Sequence, residues 1–152
     1  MTETVHIQIS LERRPVTLHY PGADGVQFHD AVLVLSNPTG EAARDVGLHL
    51  RVLQGDAPLL DGPVDLSALG CQTEIAAGEA LRLSVFRTLQ HHVRGFGSKV
   101  NMFGYKAVLN WTFRVEASLS ADQGEHRSGA WKVEWHPSAG DPALVEVDIA
   151  PA

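Results

Sequence analysis

Apolar and polar residues alternate one by one along most of this chain. In the longest run, Ala107, Leu109, Trp111, Phe113, Val115, Ala117 and Leu119 interleave with Lys106, Val108, Asn110, Thr112, Arg114, Glu116 and Ser118. Successive side chains of a strand point to opposite faces, so this spacing predicts a strand over 107–119 with one buried and one solvated face. Trp131, Val133 and Trp135 repeat the pattern with Lys132 and Glu134 outward. The polar, glycine-bearing stretch from Ser120 to Gly129 predicts the hairpin connection between the two.

Earlier segments share the period. Val5, Ile7, Ile9 and Leu11 form one set, and Val16, Leu18 and Tyr20 a second that runs into the turn Pro21 to Gly25. Ala31 to Leu35 is a continuous apolar run ended by Ser36-Asn-Pro-Thr-Gly40. Val46, Leu48, Leu50 and Val52 alternate, as do Leu81, Leu83 and Val85, and finally Val145, Val147 and Ile149. No segment carries a clear 3.6-residue stripe, and Leu66 to Cys71 is expected to form at most one helical turn. The pattern predicts an all-β protein, a single antiparallel sandwich of about eight strands.

Two stretches carry a family resemblance. Ala31 to Leu53, followed by Ile75 to Val85, resembles bacterial immunoglobulin-like modules of the CARDB type. Asn37, Gly40, Val46, Leu48, Gly78, Glu79, Leu81 and Leu83 stand at the turn and core positions of such modules. The resemblance spans roughly residues 31–86 and implies an immunoglobulin-like sandwich. Gln54 to Thr73 departs from it as a longer insert. Asn and Gly suit these turns because both tolerate a left-handed backbone.

The chain has 152 residues, which fits one domain over 1–152. Its single cysteine, Cys71, excludes an internal disulfide and fits a reducing compartment. Met1 to His6 has neither a basic stretch nor an apolar core, so no secretory signal is expected and a cytoplasmic location is. No apolar run is long enough for a membrane span.

Charge is spread unevenly along the chain. The formal net charge is −6, yet Arg82, Arg87, Arg94, Lys99, Lys106 and Arg114 fall in a window, Ala80 to Val115, that has no acidic residue. Within it lies a basic, aromatic-bearing loop over 91–106, with His91, His92, Arg94, Phe96, Lys99, Phe103, Tyr105 and Lys106. Gly95 to Lys99 lacks the spacing of a phosphate-binding loop and leads into a strand pattern rather than a helix. The eight histidines show no metal-ligand spacing, and no nucleophile motif is present. No cofactor, metal or catalytic residue is therefore expected, and the protein is read as a non-enzyme.

The expected function is binding or assembly, with Arg94, Phe96, Lys99, Lys106, His91 and His92 as partner-contacting residues. Arginine and aromatic side chains together are typical interface anchors. The expected partner is a protein with an acidic surface, and self-association is compatible. A membrane or nucleic-acid partner is not expected. Two alternatives stand beside this reading: a structural subunit of a self-assembling particle, such as a phage or injection machine, and an enzyme whose site is not visible in sequence.

Overall fold

The computed structural model describes residues 5–18, 26–93, 111–121, 126–137 and 144–152. Eight strands and one short helix follow in order: β1 (Gln8–Leu18), β2 (Val26–Ser36), β3 (Gly47–Gln54), β4 (Ala57–Pro63), β5 (Ala80–Ser84), α1 (Val85–His92), β6 (Trp111–Ser120), β7 (His126–Pro137) and β8 (Leu144–Pro151). One antiparallel layer has the order β1-β2-β5, and the other β8-β7-β6-β3-β4. The fold is all-β and sandwich-like. A short parallel pairing of Gln27 and Phe28 with Leu144 and Val145 joins the layers, so the sandwich is not antiparallel throughout. β2 is grouped with β5, and β3 with β6 and β7.

The alternation predicted for β6 holds through the described side chains. Phe113, Val115, Ala117 and Leu119 are buried, whereas Thr112, Arg114 and Ser118 are exposed. Residues 107–110 lie outside the described residues. Leu33 and Leu35 of β2 and Leu81 and Leu83 of β5, from the facing layer, and Leu48, Leu50 and Val52 of β3, beside β6, enter the same core. Trp135 is fully buried, with its ring 5.5 Å from that of Phe113 at 71°. Its Nε1–H donates to the backbone carbonyl of His29 at 2.8 Å, tying β7 to β2. Trp131, half-buried, folds back over Gly129, where any Cβ would lie 2.4 Å from the ring.

Three expectations change. The first two predicted strands are one, because Pro15 sits within the edge strand β1, where no second neighbour requires its missing N–H. The insert over 54–73 contains β4, a half-exposed edge strand whose adjacent Leu59 and Leu60 break the period-two signal. Val85 to His92 is a helix rather than the end of a strand. Ser84 accepts from Arg87 N–H as its N-cap, and Val85, Phe86 and Leu89 are buried on one side.

The expected turn at 66–71 is present and capped at both ends. Asp65 Oδ1 accepts from Ala68 N–H, Gly70 N–H donates to Ser67 O, and Cys71 N–H donates to Leu66 O. Gly70 has φ +76°, the left-handed position that closes such a turn.

Candidate functional site

Of the residues expected to contact a partner, His91 and His92 are described. Arg94, Phe96, Lys99 and Lys106 lie outside the described residues, as do Phe103 and Tyr105. The two histidines were expected in the loop over 91–106, but they occupy the last turn of α1. Their rings meet edge-on at 4.8 Å. His91 is exposed, whereas His92 Nε2 accepts the N–H of Asp65 at 3.3 Å and fastens α1 to the capped turn.

The start of α1 is anchored by a buried carboxylate. Asp30 lies on β2 and is 3% exposed. Ser84 Oγ donates to Asp30 Oδ2, and Phe86 N–H donates to Asp30 Oδ1 at 3.4 Å. Burial pushes the Asp30 carboxyl up to about 6, against the opposing pull of these hydrogen bonds. The folded state therefore holds a proton that the unfolded chain, with a pKa near 3.8, releases first. This contribution to stability is full below pH 4 and is lost as pH rises through 6, by about 3 kcal/mol in total. Asp30→Asn should remove that slope. Urea unfolding of both proteins at pH 4, 5, 6 and 7 checks it, and parallel curves would contradict it.

On the outer face of the five-stranded layer the cations Arg51, Arg114 and Lys132 are paired, as is Arg14 with Glu12 on β1 at 3.5 Å. Arg51 contacts Asp61 at 3.7 Å and Glu116 at 3.4 Å, Arg114 contacts Glu116 at 3.7 Å, and Lys132 contacts Glu134 at 3.1 Å. Exposed pairs of this kind stabilise little, but they neutralise the face. On the other side, Arg82 of β5 and Arg87 of α1 are exposed, and among the described residues no carboxylate forms an ion pair with either. Both stand in the acid-free window without having been singled out as contacts. The available signal is Arg82 at the exposed phase of the Leu81–Leu83 alternation and Arg87 on the polar side of the helix.

A groove of about 350 Å³ lies beside Arg82, with Cys71, Ile75 and Leu81 among its lining. Burial raises the Cys71 thiol, with Arg87 acting in the opposite direction, so the group is a neutral thiol at pH 7. Among the described residues no three His, Cys, Asp or Glu side chains form a metal-binding group, and no helix is long and apolar enough to cross a membrane. No family model, no curated protein and no solved structure matches the chain.

Proposed function

We propose that this protein is a non-enzymatic binding module that engages an acidic protein surface through its β5–α1 side and the basic, aromatic segment that follows. One observation carries the reading. Arg51, Arg114 and Lys132 on the outer face of the five-stranded layer are each paired with a carboxylate, whereas Arg82 and Arg87, leading into residues 94–106, are exposed without such partners among the described residues. An acidic protein that concentrates unpaired positive charge on one side steers an acidic partner toward that side. Arg94, Lys99 and Lys106 extend the charge, Phe96 supplies a flat anchor, and His91 borders it. His92 holds α1 in place.

The test uses a partner recovered by crosslinking in the cells that make the protein. Replacing Arg94 and Lys99 together by Ser should slow association, and salt should slow the wild type, because exposed charges beyond about 10 Å are screened at 0.1 M. Phe96→Ala should speed dissociation, weakening binding by about 2 kcal/mol or more. Association and dissociation rates untouched by all three substitutions would overturn the reading.

A further inference from the structure

Four strands end the two layers: β1 and β5 in one, and β4 and β8 in the other, where β8 meets β2 only at Leu144 and Val145 and carries Pro151. Two of the others are blunted. β1 carries Pro15 behind the exposed run Glu12, Arg13 and Arg14, and β4 carries Pro58 and Pro63 beside a register shift at Val52/Leu53. Such features discourage strand addition. β5, Ala-Leu-Arg-Leu-Ser, contains no proline.

Its outer edge offers backbone groups. Leu81 and Leu83 pair with Leu35 and Leu33 of β2, and Glu79 O accepts Asn37 N–H at the next rung. The alternate residues Ala80, Arg82 and Ser84 therefore direct their backbone groups away from β2. Ser84 O is taken by the Thr88 hydroxyl at 2.7 Å. Arg82 O is met only by the Cys71 thiol, a weak donor, at 3.8 Å. The N–H groups of Ala80 and Arg82 have no hydrogen-bond partner among the described residues. The groove beside this edge has Ile75 and Leu81 as its buried floor.

Charge selects the occupant. Antiparallel pairing of two β5 edges centred on Arg82 would set two guanidinium groups directly opposite each other, which disfavours a second copy of this chain. A carboxylate facing Arg82, with Arg87 close enough to act on the Cys71 thiol, is favoured instead. Glu74 and Glu79 also line the groove, so the acidic residue belongs at the Arg82 end and not beside Glu79.

We infer that the open edge of β5 takes up an extended segment of a partner protein as an added strand, with an acidic side chain of that segment facing Arg82. The added strand replaces the Cys71 thiol at the Arg82 carbonyl and accepts from the free Arg82 N–H. This deepens the proposed function and rests on it for the partner's charge alone.

The probe is a capped seven-residue peptide, Thr-Val-Thr-Glu-Thr-Val-Thr, with its Lys-centred analogue and two versions N-methylated at one or the other alternate set of amides. Binding of the Glu peptide should slow hydrogen exchange of the Ala80 and Arg82 amides and slow alkylation of Cys71. The Lys analogue should bind more weakly. One methylated version should bind about tenfold or more weakly, because it loses at least two backbone hydrogen bonds, while the other binds as before. Arg82→Pro should likewise abolish protection at residue 80, since the residue 82 N–H is not part of the β2 ladder. If that variant does not fold, the methylated pair makes the same test on the wild type. Unchanged exchange at Ala80 and Arg82, or equal binding of both methylated versions, overturns strand addition. Salt-dependent binding of poly-glutamate in that case leaves the acidic-partner reading standing, and its loss as well removes both.

Discussion

Replacing Trp135 with alanine should destabilise the protein by about 3–5 kcal/mol, the range for emptying a large, fully buried aromatic site. The ring is wholly inside and packs edge-on against Phe113. Its Nε1–H is also the donor to His29 O, so the same side chain fills the core and binds the two layers to each other. Trp135→Phe separates the two roles. It keeps most of the packing but leaves the His29 carbonyl without this donor, at a cost of about 1–3 kcal/mol. Urea unfolding should rank wild type, Trp135→Phe and Trp135→Ala in falling stability. A near-native midpoint for the alanine variant would show that β7 presents the other face to the core.

Asn37→Ala should be nearly as costly, about 2–4 kcal/mol, although it removes little apolar volume. Asn37 is 1% exposed. Its Nδ2 donates to Glu41 O at 2.7 Å and to Ile75 O at 3.0 Å, while Oδ1 accepts from Thr39 N–H and the Thr39 hydroxyl. Its backbone joins the neighbouring turn as well, donating to Glu79 O at 2.9 Å and accepting from Gly78 N–H at 2.8 Å. Truncation leaves several buried polar groups without partners, and each such group costs about 1–3 kcal/mol before relaxation or water entry. Asn37→Asp should also destabilise, because a carboxylate cannot donate to the two carbonyls. Thermal unfolding of both variants tests this, and a melting temperature unchanged by Asn37→Ala would contradict it.

The sequence exposes this turn for a different reason from the one its composition suggests. Asn37 and Gly40 were expected to supply left-handed backbone, but among the described residues neither has a positive φ. Asn37 acts through its side chain. Gly78, at φ +76°, is the residue that meets the steric expectation. Strands buried on one face, such as β3 and β6, were legible because the period of two records that burial directly. β4 was hidden by its place at an edge, where half-exposed Leu59 and Leu60 satisfy no alternation. α1 was hidden because Val85 continues the phase of Leu81 and Leu83, so the strand pattern runs into the helix. The decisive signal there is Ser84, a capping residue ahead of Val85, Phe86 and Leu89. The candidate contact surface was legible as an acid-free window. The distinction between paired Arg51 and Arg114 and unpaired Arg82 and Arg87 was not, since it depends on which carboxylates lie across neighbouring strands.

The most direct test of the cationic-side account is the association rate of the recovered acidic partner, measured from low to moderate salt with one cation removed from each side of the sandwich. Arg87→Ser should slow association and flatten its dependence on salt, while Lys132→Ser, taken from the paired face, should leave both unchanged. Slowing by Lys132→Ser with no effect of Arg87→Ser would contradict the account.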